Sequence, residues 1–313
     1  MQALPKGVFA LTLTPYTENL EVDYNALGAL IEWYRSAGCA GLFALCATSE
    51  MEQLSVAERV KMAEFFVKHS GGMKIVCSGH VSASPADQLA ELRAIANTGV
   101  DGLVLIKHRL HSNEGGAEPD NDAAFENLKR LCNGLQDTPL GFYEQPYDGA
   151  YKLLPDDWVR WCAADGRFNF IKDTTCTIED VRRKVELTNG SPFQIYNANG
   201  TFFYDTLLAG AAGYSGNFSN YCPDLFVWVC ENFEKYPETA KLIGRFLSVF
   251  SRMHEQYPLS AKYFVQQLGL PVRVNSRRTG MSMDSLQLRA RMDHFAEVLD
   301  FLRTVIRDTE KAG

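Results

Sequence analysis

Residues 168–176 read F-N-F-I-K-D-T-T-C, a short apolar run that ends in Lys172 and a polar turn. Residues 177–180 follow as T-I-E-D, a capping-box pattern that predicts the start of a helix. An apolar run between a turn and a helix start is typical of a buried parallel strand. This stretch therefore predicts a strand-to-helix unit with a lysine at the C-terminal end of the strand.

The same alternation of strand and helix patterns recurs along most of the chain. Strands are predicted at Gly7–Thr14, Gly41–Cys46, Met73–Ser78, Gly102–Ile106, Leu140–Tyr143, Phe168–Ile171, Phe193–Tyr196 and Gly213–Gly216. Eight mostly apolar strands that alternate with helices favour a closed (β/α)8 TIM barrel over an open doubly wound sheet. No G-x-G-x-x-G follows the first strand, which weakens a dinucleotide-binding alternative further.

After Pro223 the patterns are helical only. Helices are predicted at Asp224–Phe233, Pro237–Tyr257, Leu259–Leu268 and Ser285–Arg307. We therefore expect an α/β barrel in residues 1–223 and a C-terminal helical region in residues 224–313.

Composition narrows the class of protein. The chain has 313 residues and a net charge of −7 without a basic patch, which argues against nucleic acid as the main partner. It has no apolar run long enough to span a bilayer and no signal-peptide segment. The eight cysteines form no C-x-x-C pair and the histidines have no metal-ligand spacing. We expect a cytoplasmic protein with no membrane contact and no metal site.

In an α/β barrel, the chemistry lies at the C-terminal ends of the strands. Burial of Lys172 there would lower its pKa and free its amine to attack a carbonyl, although a strand-end lysine can also extend its charge into solvent without a role. Strand five ends in Tyr143, which can relay protons or be a buried tyrosine with a satisfied hydroxyl.

Strand two ends in the turn C-A-T-S-E at residues 46–50. Small residues in such a turn let the backbone N–H groups of Ala47, Thr48 and Ser49 point into the barrel mouth, where they can bind a carboxylate or phosphate. Thr48 and Ser49 could also donate from their hydroxyls. The alternative is an ordinary loop that begins a helix.

A cationic cluster, residues 107–109 (K-H-R), follows strand four. If these side chains faced the mouth, they would favour an anionic substrate and lower the pKa of Lys172 by repulsion; a solvated strand end is the alternative. We predict Lys107, His108 and Glu144 as residues that recognise a second substrate. Asn217, after the eighth strand, is a further candidate for substrate binding.

Together these motifs resemble the pyruvate-dependent class I aldolases, which include dihydrodipicolinate synthase and N-acetylneuraminate lyase. The likeness covers nearly the whole chain, including Leu11–Pro15, the Tyr-x-x-Pro at residues 143–146 and Ile171–Asp173. The resemblance implies a TIM barrel with C-terminal helices, usually a homotetramer. It also implies that Lys172 forms a Schiff base with pyruvate, that Tyr143 shuttles protons and that the strand-two turn holds the carboxylate of the keto acid.

Two segments depart from the family pattern. The family turn reads G-[TS]-T-G-E, so both glycines and the first hydroxyl are missing here, whereas Thr48 and Glu50 match. The synthase has an arginine shortly after Tyr-x-x-Pro, whereas Tyr147–Gly149 contains none. These differences argue against lysine-biosynthetic activity.

The resemblance thus implies a Schiff-base lyase or aldolase that uses pyruvate or a related 2-oxo acid together with an aldehyde. Lys172, Tyr143 and Thr48 are its expected catalytic residues. No metal or organic cofactor is expected, because a protonated imine is itself the electron sink. Two alternatives stay open: a genuine 4-hydroxy-tetrahydrodipicolinate synthase with a rearranged pocket, and a barrel that binds or regulates without turnover. A homo-oligomer, tetrameric or dimeric, is expected.

Overall fold

The computed structural model describes residues 1–111, 120–145, 153–251 and 255–312. Eight parallel strands close into a barrel in which each strand pairs with the next and the last with the first. The strands are β1 (Gly7–Leu11), β2 (Gly41–Leu45), β3 (Lys74–Cys77), β4 (Gly102–Ile106), β5 (Leu140–Tyr143), β6 (Phe168–Asp173), β7 (Gln194–Asn197) and β8 (Gly213–Tyr214). The predicted TIM barrel is confirmed.

Helices follow the strands and continue beyond the barrel. They are α1 (Tyr24–Ser36), α2 (Val56–His69), α3 (Pro85–Ala96), α4 (Asn121–Gly134), α5 (Asp156–Asp165), α6 (Ile178–Leu187), α7 (Phe203–Leu208), α8 (Pro223–Asn232), α9 (Pro237–Phe250), α10 (Leu259–Gln267) and α11 (Leu286–Ala312). Among the helices described, none combines the length and apolar character that a membrane span needs.

The predicted capping boxes mark real helix starts. The Ser55 hydroxyl accepts from the Glu58 N–H, and the Glu58 carboxylate accepts from the Ser55 N–H. At the start of α6, the Thr177 hydroxyl accepts from the N–H of Asp180. Each cap of this kind contributes roughly 1 kcal/mol, so these local signals fix where a strand's connection ends and its helix begins.

The barrel interior is packed with aromatic side chains. Phe9, Phe43, Phe170 and Tyr196 contact one another with ring centres between 4.7 and 5.6 Å apart. A second apolar layer lies between the strands and the helices. Because side chains alternate between the two faces of a strand, residues next to an inward-facing position belong to the outer layer. The packed interior forms a floor beneath the C-terminal ends of the strands, the end at which α/β barrels carry their active sites.

Two C-terminal helices differ from the sequence prediction, and the first difference is that α11 runs to Ala312 rather than ending at Arg307. The helix predicted at Pro237–Tyr257 is too long, because α9 ends at Phe250 and Tyr257 lies in a turn. Gln256 has a φ of 55°, which lies outside the right-handed helical region. Helix α8 packs against β1, and α9 packs against α8 and α11. The proposed division of the chain at residue 223 stays a prediction.

Candidate active site

Tyr143 and Lys172 are direct partners in the register of β5 and β6. Both are almost fully buried, with exposed fractions of 3% and 4%. The Lys172 Nζ lies 4.4 Å from the centre of the Tyr143 ring and 5.7 Å from the centre of the Phe43 ring. Burial disfavours the ammonium form and lowers the pKa of Lys172 to about 8. Within the described ranges, no carboxylate forms an ion pair with this lysine.

A cavity of about 480 Å³ opens at this end of the barrel. Its walls come from the ends of several strands and from the C-terminal region. The lining includes Ala47, Thr48, Tyr143, Lys172, Thr174, Asn199, Thr201, Asn217, Ser251, Tyr257 and Arg278. The cavity has the size and the mixed polar and apolar lining of a small-molecule site.

The strand-two turn has two backbone N–H groups that are unpaired among the described residues. In the part of the chain that the structure describes, the N–H groups of Ala47 and Thr48 have no hydrogen-bond partner, and both residues line the cavity. Ser49 is different. Its N–H donates to the Cys46 carbonyl at 3.0 Å, and its hydroxyl lies 2.9 Å from the Ala44 carbonyl. The predicted role of Ser49 is therefore corrected, because the turn itself uses its hydrogen-bonding groups.

The hydroxyl of Thr48 is oriented by Tyr257, a residue that the sequence analysis missed. The Tyr257 hydroxyl donates to Thr48 Oγ1 at 3.0 Å and accepts from Asn220 Nδ2 at 2.9 Å. Since Thr48 Oγ1 accepts this proton, it donates its own proton to Asn217 Oδ1 at 3.4 Å. Tyr257 precedes a proline, which disfavours helical backbone and is the signal that could have placed it in a turn.

The turn is also anchored through Glu50, which has left-handed backbone with a φ of 56°. Its buried carboxylate accepts from Lys262 Nζ at 2.7 Å, from the Ser276 hydroxyl at 2.6 Å and from the Arg277 N–H at 2.9 Å. The guanidinium of Arg278 donates to the Ala47 carbonyl. The C-terminal region therefore holds the turn in place.

Glu144 does not face the cavity. Its carboxylate accepts from Lys184 Nζ at 2.6 Å, and Lys184 also binds Asp173 at 2.6 Å. All three side chains are at most 1% exposed. Burial alone would lower the pKa of Lys184, but the two carboxylates hold it above the ordinary value. The prediction of Glu144 as a substrate-binding residue is corrected, because Glu144 points to the side of the strand opposite Tyr143.

The cationic cluster after β4 also lies away from the described cavity lining. Lys107 Nζ lies 2.8 Å from both His111 Nε2 and Asn121 Oδ1, and it packs over the ring of Trp158. Neither Lys107 nor His108 is among the described residues that line the cavity, so their role in recognising a second substrate stays a prediction. Burial, rather than repulsion from this cluster, is the main cause of the lowered pKa of Lys172.

Comparison with known proteins identifies the family. The model of the dihydrodipicolinate synthetase family matches residues 4–293. The chain belongs to this family. It is 25% identical over 268 residues to a 4-hydroxy-tetrahydrodipicolinate synthase of Oceanobacillus iheyensis, covering 85% of this chain and 88% of that one. A second such synthase, from Methanothrix thermoacetophila, is 24% identical over 283 residues, covering 90% of each chain.

The fold is also similar to that of a solved member of the dihydrodipicolinate synthetase family. YagE, a prophage protein of E. coli K12 solved in complex with pyruvate, superimposes with a TM-score of 0.82 at 19% identity. The match covers 95% of this chain and 99% of YagE. At this identity the likeness shows the fold alone.

For this member of the dihydrodipicolinate synthetase family, the structure separates the predicted site residues into two groups. The cavity brings together Lys172, Tyr143, Ala47, Thr48 and Asn217. The groups that it leaves out among the described residues are Ser49, Lys107, His108 and Glu144. The segment that lacks the arginine of the family, Tyr147–Gly149, lies outside the described residues.

Proposed function

We propose that the protein is a lyase or aldolase that forms a Schiff base with pyruvate or a related 2-oxo acid. The observation that carries the proposal is the placement of Lys172. It is a buried lysine with a pKa of about 8, it lines a cavity of about 480 Å³, and it lies against the ring of Tyr143. Membership of the dihydrodipicolinate synthetase family supports the same reaction class.

In the proposed reaction, the neutral amine of Lys172 attacks the ketone carbon of the oxo acid and forms a C–N bond. The ketone oxygen takes up protons and leaves as water, which produces a protonated imine. Tyr143, the register partner of Lys172, would donate and accept protons in these steps. The protonated imine then withdraws electrons from the neighbouring carbon, so that a bond to an aldehyde partner can form or break without a metal or organic cofactor.

The carboxylate of the oxo acid would be bound by the strand-two turn. The N–H groups of Ala47 and Thr48, two residues that line the cavity, have no partner in the described chain, and the Thr48 hydroxyl would turn its proton from Asn217 to the bound carboxylate. Hydrogen bonds from fixed donors to a charged acceptor are stronger than neutral ones, and they need no rearrangement when the substrate binds. Asn217 is placed to orient the Thr48 hydroxyl. The aldehyde partner, a tetrameric or dimeric assembly and a cytoplasmic location stay predictions.

A decisive experiment is borohydride reduction of the protein in the presence of pyruvate, followed by intact and peptide mass spectrometry. We expect a reduced pyruvyl adduct on the peptide that contains Lys172. The adduct should be lost in Lys172→Ala and kept in Lys68→Ala, which removes an exposed lysine of α2. The absence of an adduct with pyruvate and with a panel of other 2-oxo acids would reject the proposal in favour of a non-catalytic barrel.

A second candidate function is favoured by the relatives, which are named as 4-hydroxy-tetrahydrodipicolinate synthases. That enzyme would condense the pyruvyl imine with aspartate semialdehyde. Steady-state kinetics with pyruvate and aspartate semialdehyde separate the two candidates. Condensation at a measurable rate would support the synthase, whereas an adduct on Lys172 without condensation would leave an aldolase with another aldehyde.

A further inference from the structure

Four side chains form a linear network of hydrogen bonds from helix α1 to the strand-two turn. The Tyr34 hydroxyl donates to Asn220 Oδ1 at 2.5 Å, and Asn220 Nδ2 donates to the Tyr257 hydroxyl at 2.9 Å. Tyr257 in turn donates to Thr48 Oγ1 at 3.0 Å. Tyr34 and Asn220 are fully buried and are not among the described residues that line the cavity, whereas Tyr257 and Thr48 are. This hydroxyl network therefore joins the outer layer of the barrel to the proposed site.

Asn220 sets the direction in which protons are donated along the hydroxyl network. Its Nδ2 group also donates to the backbone carbonyl of Asn217 at 3.4 Å, and a carbonyl oxygen can only accept. The amide nitrogen of Asn220 must therefore face Asn217 and Tyr257, and the amide oxygen must face Tyr34. Burial raises the pKa of both tyrosines well above the ordinary value, so both hydroxyls keep their protons.

The direction of the network decides what Thr48 can offer to a ligand. A hydroxyl has one proton, and the Tyr257 oxygen already accepts from Asn220, so Tyr257 gives its proton to Thr48 Oγ1. Thr48 then uses its own proton as a donor, in a long hydrogen bond of 3.4 Å to Asn217 Oδ1. An ionised carboxylate accepts hydrogen bonds and cannot donate them. The network therefore holds Thr48 in the form that suits an anion.

We infer that Asn220 is a positioning residue for the carboxylate of the oxo acid, because it sets the direction of the hydroxyl network and so makes Thr48 a hydrogen-bond donor. The inference rests on the proposed function, since it concerns the carboxylate bound at the same turn. Asn220 acts through Tyr257 and Thr48 rather than by contact with the ligand. Reversing the network at Asn220 should therefore weaken carboxylate binding even when the shape of the side chain is kept.

The test reverses the network with Asn220→Asp, which has nearly the same shape. Both oxygens of an ionised carboxylate accept, so Tyr257 would turn its proton to the new carboxylate and its oxygen would accept from Thr48. Asn220→Leu removes the amide and leaves the direction unset. The pyruvate concentration for half-maximal borohydride trapping on Lys172 and the saturated trapping rate are measured for both variants, each made in wild-type protein and in Tyr257→Phe.

In the wild-type background, we expect Asn220→Asp to need about tenfold or more pyruvate for half-maximal trapping, and Asn220→Leu to need less than that. The saturated rate should stay nearly constant. In Tyr257→Phe the network is already cut, so Asn220→Asp should add less than about twofold. The negative charge of the aspartate would act through space in both backgrounds. An equal rise in both, or no rise in the wild-type background, would therefore overturn the inference.

Tyr34→Phe keeps the inference testable if the Asn220 variants do not fold. It removes the donor that holds the amide oxygen of Asn220, so half-maximal trapping should need about two- to threefold more pyruvate in wild-type protein and no more in Tyr257→Phe. The control Tyr221→Phe removes a hydroxyl that bonds Ser260, and it should change neither value.

Equal pyruvate concentrations for half-maximal trapping in Tyr34→Phe and Tyr221→Phe would overturn the inference. Because the wild-type protein would still trap pyruvate on Lys172, that result would leave the proposed function intact. Absence of any adduct in the wild-type protein would reject the proposed function and this inference together.

Discussion

The two walls of the cavity are held in place in different ways. On one wall, Tyr143 and Lys172 are register partners, and the residues that follow them, Glu144 and Asp173, both bind Lys184 of α6. On the other wall, Thr12 and Thr14 bind Ser49 of the turn at residues 46–50. The rest of the turn is held by residues that lie more than 200 positions later in the chain: Tyr257, Lys262 and Arg278.

This difference separates the two functions that we assign to the walls. The reacting groups stand on paired strands that neighbouring elements of the barrel fix. The groups proposed to bind the carboxylate of the oxo acid depend on how the C-terminal region docks on the barrel. Changes in that region would therefore alter binding while leaving the amine and the tyrosine in place. The following predictions test this separation.

The largest effect is expected on the wall formed by β5 and β6. Tyr143→Phe removes the hydroxyl proposed to move protons, so the rate of formation of the trapped pyruvyl adduct should fall by roughly 10²–10⁴-fold. The pyruvate concentration for half-maximal trapping should change much less, because the strand-two turn is intact. Quenched-flow reduction with borohydride gives both quantities. An unchanged rate would show that Tyr143 has no part in proton transfer.

Lys184 and Lys262 are buried lysines, one in each wall, and their contributions to the free energy of unfolding can be compared. Lys184→Met leaves two buried carboxylates, whereas Lys262→Met leaves one, the carboxylate of Glu50. We expect a loss of about 3–5 kcal/mol in unfolding free energy for Lys184→Met and a smaller loss for Lys262→Met. Urea unfolding measures both.

The matched control is Lys74→Met, which breaks an ion pair whose lysine and aspartate are 47% and 31% exposed. Solvent screens such a pair, so the loss should be at most about 1 kcal/mol. An equal, small loss in all three variants would show that the buried networks do not stabilise the walls.

The pH dependence of borohydride trapping tests the pKa of the Lys172 amine. Only the neutral form of Lys172 attacks the ketone, and burial lowers its pKa to about 8. The rate should therefore rise with pH through about 8, and at pH 6 it should be roughly a hundredfold below its plateau. For a lysine with an unperturbed pKa, the rise in rate would be centred at a pH of about 10.4 instead. A rise centred there would contradict the burial seen in the structure.

The smallest effect is expected at the turn. Tyr257→Phe removes one hydrogen bond to the Thr48 hydroxyl, so half-maximal trapping should need up to about tenfold more pyruvate, while the saturated rate stays nearly constant. Tyr221→Phe is the matched control, since Tyr221 is also buried and its hydroxyl bonds Ser260 outside the described cavity lining. If both variants needed the same pyruvate concentration for half-maximal trapping, Tyr257 would have no role in binding the carboxylate.

The sequence predicted the position of each strand better than it predicted which side chains of the strand face the cavity. Tyr143 and Glu144 were both assigned to the site, although successive side chains of a strand point to opposite faces. Position after a strand predicts Ser49 and Lys107 as site residues, but Ser49 bonds within its own turn and Lys107 bonds His111 and Asn121. Proximity along the chain was therefore a poor guide to which neighbour faces the cavity.

By itself, the sequence determined the barrel, the helix starts and the lysine at the end of β6, because hydrophobic alternation and capping are local properties. It also predicted Tyr143 and Lys172 at the ends of consecutive strands, and the structure shows that these strands pair in order. Only the tertiary structure decided that Tyr257 and Arg278 reach the cavity. Their position depends on the packing of the C-terminal region against a turn more than 200 residues away, and no local pattern records that contact.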